Sequence, residues 1–192
     1  MEKTKKTVIV TGCAGMTGGV LVEELLDAGY AVVGADVQPE DGHDEPEWTY
    51  RRCDISDPAQ VDALFEASAP VHAVFHAAAI VPYNLAWSGS EERLRDVNVR
   101  GTGYIVDSAR RAGVKSLVFA SSSGVAFAGT HDVDQAEEED AVAGAKLNDA
   151  YSQSKADAER IVLDASDPAG LACVAIRPNG EPATPWVRAA RD

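Results

Sequence analysis

Basic residues are in short supply in this chain. Seventeen Lys and Arg stand against thirty-one Asp and Glu, a formal net charge of −14. Such a chain lacks the Lys and Arg clusters that neutralise phosphates, which excludes nucleic acid as a partner. The acidic excess is read as a solvated surface. Cysteine is also scarce. Cys13, Cys53 and Cys173 are odd in number, far apart and without metal-ligand spacing. No disulfide framework follows from them, and a reduced, cytoplasmic protein fits best. Long hydrophobic runs are missing. Only Thr7-Val8-Ile9-Val10 separates the charged start from Thr11-Gly12, too short for the apolar core of a signal peptide. No stretch approaches the length of a membrane span, and there is no internal repeat. What remains is 192 residues, 45% of them hydrophobic, enough for one globular domain with a sizeable core.

Short apolar runs alternate with helical patterns, as in a parallel sheet covered by helices. The runs predict strands at about 7–11 (TVIVT), 31–36 (AVVGAD), 48–52, 71–76 (VHAVFH), 115–121 (KSLVFAS) and 171–177 (LACVAIR). A first helix is expected from about Gly15 to Ala28, stopped by Gly29. A second opens at Ser56-Asp57-Pro58, a cap and an early proline, and buries Val61, Leu64 and Phe65. A third, long helix runs from Ser90 to about Ala112, with Leu94, Val97, Ile105 and Ala109 at roughly helical spacing and Gly113 as its stop. The last runs from near Asn148 to about Ala165. Residues 128–147 read as a loop, in which Glu137-Glu138-Glu139-Asp140 is solvated. Right-handed crossovers give an α/β fold, a doubly wound parallel sheet of about six strands in the order 3-2-1-4-5-6 with helices on both faces. A ligand then belongs at the carboxyl ends of the strands, near the switch between the first and fourth.

Thr11-Gly12-Cys13-Ala14-Gly15-Met16-Thr17-Gly18 sits where such a ligand would bind, between an apolar strand and a helix. Gly12, Gly15 and Gly18 let the backbone turn tightly and approach a pyrophosphate, and the helix N-terminus offers free N–H groups. The spacing is Gly-x-x-Gly-x-x-Gly, a weak signal alone. Asp36 strengthens it, because it ends the second strand 18 residues after Gly18, where an acid can accept protons from both adenosine ribose hydroxyls. A carboxylate there repels a 2′-phosphate, and Val37 rather than Arg follows it, so NAD is expected over NADP. Asp54, closing the third strand, is placed to meet the adenine amino group, with an exposed loop acid as the alternative.

Tyr151-Ser152-Gln153-Ser154-Lys155 puts a phenol and an ammonium four residues apart near a helix start, on one face. A free phenol, with a pKa near 10, is a poor base at neutral pH. A neighbouring ammonium favours the phenolate, which can exchange a proton with a carbinol. Lys155 can also bond a nicotinamide ribose. The pair is common by chance, but Ala120-Ser121-Ser122-Ser123 ends the fifth strand, and a hydroxyl there can hold a substrate oxygen.

Taken together, TGCAGMTG, Asp36, Cys53-Asp54-Ile55, VFHAAA (74–79), DVNVRGT (96–102), FASSSGV (119–125), YSQSK and IRPNG (176–180) resemble the extended short-chain dehydrogenase/reductases, the NAD-dependent epimerase/dehydratase superfamily. The resemblance covers about residues 7–180. It implies Ser122 as the catalytic serine, three residues before Val125, with Ser121 as runner-up. It implies Asn98 as the asparagine of the long helix that completes the catalytic set with Tyr151 and Lys155. It places Met16, Ile55, Ala77 and Ala78 against the cofactor, with Gly12, Gly15, Gly18, Asp36, Asp54 and Lys155. His76, inside the strand-end motif, is expected to pack rather than react. VNVRGT followed by RAGVKSLVFASSSGVAF looks most like the 3β-hydroxysteroid dehydrogenases and related sterol dehydrogenases. Arg95-Asp96-Val97 stands where nucleotide-sugar epimerases usually carry an aromatic pair.

The implied activity is oxidation of a secondary alcohol on a small, sterol-like substrate, and a homodimer is compatible with it. The alternatives are a nucleotide-sugar epimerase or dehydratase with retained NAD, and an NAD-binding domain without turnover. The last arises because the resemblance stops at Gly180. Residues 181–192, with two prolines and no core pattern, read as a flexible tail where relatives continue into a substrate-binding region. A truncated or frameshifted coding sequence and a naturally shortened protein both fit. Either way the chain is expected to bind NAD better than it turns over, with apolar surface exposed beside the sixth strand.

Overall fold

The computed structural model describes residues 5–39, 45–82, 90–126 and 149–178. Six parallel strands form one sheet: β1 (Thr7–Thr11), β2 (Ala31–Asp36), β3 (Trp48–Arg52), β4 (Val71–His76), β5 (Ser116–Ala120) and β6 (Ala172–Ile176), in the order β3-β2-β1-β4-β5-β6. This is the doubly wound order expected from the alternation of apolar runs and helices. Strands near the centre are apolar along most of their length because both of their faces are covered. Val8, Ile9 and Val10 of β1 are almost completely buried.

One face carries α1 (Met16–Asp27), whose Val22 and Leu25 pack with Val8, Val10 and Val32. The other carries α2 (Pro58–Ser68), α4 (Thr102–Arg111) and α5 (Ala150–Asp164), packed on Ile9, Val74, Leu117 and Phe119. The expected caps are present. Asp57 accepts a hydrogen bond from Ala59 N at 2.9 Å, with Pro58 at the first helical position. Asp149 caps α5 through Ser152 N at 2.7 Å. Gly29 and Gly113, past the ends of α1 and α4, take φ of 84° and 69°. Val174 and Ile176 on β6 are each 55% exposed. No described helix is long and apolar enough to cross a membrane. The loop at 128–147, with its acidic run, and the tail at 181–192 lie outside the described residues.

The long helix expected from Ser90 to about Ala112 is present as one continuous helical run, and the structure adds a π-helical stretch inside it. A short α3 (Glu91–Leu94), capped by Ser90, runs into a π-helical segment (Arg95–Gly101) before α4 begins. At the end of the π segment the Thr102 hydroxyl donates to the Asn98 carbonyl at 2.7 Å, while the Thr102 N–H donates to the Val99 carbonyl. The apolar spacing survives, with Leu94, Val97, Ile105 and Ala109 all buried.

Candidate active site

The carboxyl ends of β1, β2, β4 and β5 open into two adjoining cavities of about 410 and 350 Å³. They share Gly12, Gly15, Ala77, Ala79 and Val81, so they form one cleft with two lobes. Its position is the strand-order switch, as the topology requires.

The glycine-rich turn forms the cleft floor. Gly12 has φ of 75°, a left-handed conformation. A Cβ on it would come within 2.6 Å of Ala78 N. A Cβ on Gly18 would come within 2.0 Å of the Gly12 carbonyl oxygen, so the start of α1 packs directly on the turn. Gly15, the N-cap of α1, has no side-chain cap and lines both lobes, and Met16 beside it is 45% exposed. The helix N-terminus therefore faces the space that a pyrophosphate needs.

Asp36 lies in the larger lobe with Asp54, Ile55 and Ala78. Its carboxylate accepts hydrogen bonds from Ala14 N at 3.1 Å and Gln38 N at 3.0 Å. It is thus held between the glycine-rich turn and the end of β2. Asp54 accepts bonds from Ser56 N (2.9 Å) and Ser56 Oγ (2.6 Å) on one oxygen and from Arg93 Nη2 (3.2 Å) on the other. Burial works to raise the Asp54 carboxyl, but the bonds from Ser56 and Arg93 outweigh it and hold it below its ordinary value. Arg93 also lines this lobe, a residue that sequence reasoning passed over.

The smaller lobe brings together Ser122, Tyr151 and Lys155 with Gly12, Gly15, Met16 and Gly18. Ser122 leaves β5 in extended conformation and caps a 3₁₀ turn (Ser123–Val125), accepting from Gly124 N at 3.2 Å. Lys155 is 3% exposed. Its ammonium donates to the Ala120 carbonyl and lies 4.3 Å from the centre of the Phe119 ring, which stabilises the charge without a solvent shell. Ser121, which also lines this lobe, differs from Ser122 in its side-chain partner. The Ser121 side chain turns inward, only 5% of the residue is exposed, and its hydroxyl donates to Glu159. Arg177 also holds Glu159, with Nη2 2.6 Å from Oε1. Burial raises the Glu159 carboxyl, and the bonds from Arg177 and Ser121, with the charges of Arg177 and Lys155, bring it below its usual value.

Asn98 sits 2% exposed in the π-helical segment. Its carboxamide accepts from Ile80 N at 2.8 Å and donates to Ile80 O at 3.0 Å and Ser154 Oγ at 3.0 Å. Ser154 in turn donates to Tyr151 O at 2.7 Å. Asn98 therefore ties the loop after β4, which lines the cofactor lobe, to the helix that carries Tyr151 and Lys155.

His76 is 1% exposed, packed as expected against Phe119. Its Nδ1 lies 2.6 Å from Thr11 Oγ1 and its Nε2 2.9 Å from Thr102 Oγ1. Since the Thr102 hydroxyl proton goes to the Asn98 carbonyl, the proton on His76 belongs on Nε2, and Nδ1 accepts from Thr11. Thr11 Oγ1 accepts from Ala78 N at 3.3 Å. One chain of hydrogen bonds thus runs from the wall of the cleft through β1 and β4 to the π segment. Burial first, then the Lys155 charge, pushes the His76 pKa down to about 3. Burial and nearby acids push the Cys53 thiol up to about 11, so it sits protonated and inert beside Asp54.

A family model described as "NAD dependent epimerase/dehydratase family" matches residues 8–180. A sterol-4-alpha-carboxylate 3-dehydrogenase, decarboxylating, from Mus musculus is 35% identical over 94% of this chain and 47% of its own length. A 3 beta-hydroxysteroid dehydrogenase/Delta 5→4-isomerase from Mycobacterium tuberculosis is 34% identical over 90% of this chain and 46% of its own. Among solved structures, the UDP-glucose 4-epimerase of Thermus thermophilus in complex with NAD superposes with a TM-score of 0.76 at 28% identity, over 89% of this chain and 54% of that one. A short-chain dehydrogenase/reductase superfamily protein from Agrobacterium tumefaciens with bound NAD superposes with a TM-score of 0.71 at 28% identity, over 89% and 48%. The chain spans about half the length of the curated relatives it matches. By the match to its family model and by these relatives, the chain belongs to the NAD dependent epimerase/dehydratase family.

Proposed function

We propose that the protein is an NAD-dependent dehydrogenase of secondary alcohols, acting on a 3β-hydroxysteroid or a similar sterol. The observation that carries this reading is the single cleft with Asp36 and the glycine-rich turn at one end and Ser122, Tyr151 and Lys155 at the other. The substrate class is supported by the sterol and 3β-hydroxysteroid dehydrogenases among the relatives.

The residues present fit NAD. Gly12, Gly15, Gly18 and Met16 would hold its pyrophosphate, Asp36 its adenosine ribose, and Asp54, Ile55, Ala77 and Ala78 would wall the adenine side. Bound NAD supplies the hydride acceptor. Tyr151, which lines the smaller lobe, would take the proton of the substrate hydroxyl. Ser122 donates a hydrogen bond to the same oxygen and holds it as its charge changes. The Lys155 ammonium would favour the Tyr151 phenolate and would hold the nicotinamide ribose. Asn98 positions the helix beneath both.

The test is to incubate purified protein with NAD and a panel of 3β-hydroxysteroids and follow NADH absorbance, beside the Tyr151→Phe variant. Turnover that falls on the order of 10²-fold or more in the variant, with NAD affinity within a few-fold, supports the reading. Conversion of a UDP-sugar with no net NADH, or a Phe variant that keeps the parent rate, overturns it.

A further inference from the structure

Glu159 and Arg177 take no part in the proposed chemistry, yet a buried carboxylate and a half-buried guanidinium form an ion pair directly behind it. Glu159 lies on α5 four residues after Lys155 and eight after Tyr151, on the same face of the helix. Its side chain is 7% exposed, against 28% for Arg177. Arg177 reaches it with Nε at 3.2 Å from both carboxylate oxygens and Nη2 at 2.6 Å from one. The second oxygen also accepts from Ser121 Oγ.

The backbone around Arg177 is engaged as well. Ser121 N donates to Ile176 O at 2.8 Å and Ser123 N to Pro178 O at 3.0 Å. The continuation of β6 thus pairs with residues on either side of Ser122, while the Arg177 side chain passes back to the carboxylate that holds Ser121. Ala120, just before Ser121, accepts from Lys155 Nζ. The contacts close a ring: Lys155 to Ala120, one residue along to Ser121, across to Glu159, and one helical turn back to Lys155.

We propose that Glu159 and Arg177 are positioning residues, an ion-pair clasp that fixes the end of β5 against α5 so that Ser122, Tyr151 and Lys155 keep one mutual geometry. The proposal rests on the role given to those three residues above. An apolar contact in this place would bury surface without direction, whereas a carboxylate held by a guanidinium fork and a hydroxyl fixes both distance and orientation. The clasp also places one negative charge between two cations. Among the described residues, Glu159 on its own helix and His76 from β4 interact electrostatically with the Lys155 ammonium, with Tyr151 one turn earlier on α5 and Arg177 beyond Glu159. His76 stays uncharged near neutral pH, so Glu159 is the negative charge in this group.

Two consequences distinguish a positioning role from a merely structural one. Glu159→Gln removes the counter-charge, so Lys155 loses its proton more easily and the alkaline limb of NAD binding moves to lower pH. Ser121→Ala leaves the ion pair in place and cuts only its link to β5, so it spares stability more than Glu159→Gln while weakening NAD binding about fivefold or more.

The experiment is a calorimetric titration of the 192-residue chain with NAD, from neutral to alkaline pH, for the parent, Glu159→Gln, Ser121→Ala and Arg177→Lys, with thermal midpoints for each. The expected result is an alkaline limb shifted down in Glu159→Gln, weaker binding in Ser121→Ala, and NAD affinity between the parent's and that of Glu159→Gln in Arg177→Lys, which keeps the charge but not the fork. Variants that lose thermal stability while keeping the parent's affinity and pH profile overturn the clasp and leave the functional reading intact. A parent chain that does not bind NAD overturns both. Should Glu159→Gln fail to fold, parent-like NAD affinity in Ser121→Ala overturns the clasp.

Discussion

Adding one methyl group at Gly18 should cost more than adding one at Gly19, its neighbour in the same helix. An alanine Cβ at Gly18 would lie 2.0 Å from Gly12 O, 2.6 Å from Gly12 C and 3.0 Å from Cys13 Cα. All three are main-chain atoms of the turn, so relief requires the turn and the start of α1 to separate by roughly 1 Å, a displacement large enough to spoil a binding geometry. At Gly19 the closest atom is Cys13 O at 3.6 Å, an ordinary contact. There, replacing glycine in a helix should gain about 0.5–1 kcal/mol. Overpacking of a tight site costs about 1–3 kcal/mol, and a chain of this size loses about 2–4 °C in Tm per kcal/mol. Gly18→Ala is therefore expected to lower Tm by roughly 2–12 °C and NAD affinity at least about tenfold, or 1.4 kcal/mol. Gly19→Ala should hold or raise Tm and leave NAD affinity within a few-fold. Thermal melts and calorimetric titration read both quantities on the same samples. Equal behaviour of the two variants would refute the close packing of turn on helix and the use of that turn as the pyrophosphate floor.

Asp36, held at the end of β2 by Ala14 N and Gln38 N, should favour NAD over NADP by at least about tenfold; equal affinities by calorimetry would remove its assigned role. His76 should make stability pH-dependent on the acid side. Its pKa falls from 6.5 to about 3 on folding, so below 6.5 the unfolded chain binds a proton that the folded chain refuses. Stability is then lost as pH falls, by about 2 kcal/mol between pH 7 and 5 from this one group. Chemical denaturation at both values, for the parent and His76→Gln, checks it through the difference in slope. Asn98→Ala strips the partners from Ile80 N, Ile80 O and Ser154, and should cost about 2–4 kcal/mol, with NAD affinity falling because Ile80 lines the cofactor lobe. Unchanged melting and binding would show that water replaces the carboxamide freely.

Periodicity and turn chemistry, which are local, made most of this fold legible. Strands at 7–11, 31–36, 48–52 and 71–76 have the bounds expected, and in all but the exposed edge strand at 48–52 burial on both sheet faces leaves apolar residues little choice. Glycine at 29 and 113 and Asp57-Pro58 marked helix ends through backbone conformations that few residues accept. The glycine-rich turn, Asp36 and the Tyr151–Lys155 spacing were readable for the same reason: each demand falls within one turn or at one strand end. Tertiary structure decided what depends on partners far apart in sequence. Strand alternation says that Ser121 and Ser122 face opposite ways and puts Ser121 on the side of Leu117 and Phe119, but only the fold shows that Glu159 on α5 meets its hydroxyl there. Helical spacing at Leu94, Val97 and Ile105 gave no sign of the π segment, at whose end Thr102 donates to the Asn98 carbonyl. Arg93 reaches Asp54 across 39 residues, and Arg177 reaches Glu159 across 18. Hydrogen bonds and ion pairs of this kind have no period, and their partners are chosen by where the folded strands and helices bring them.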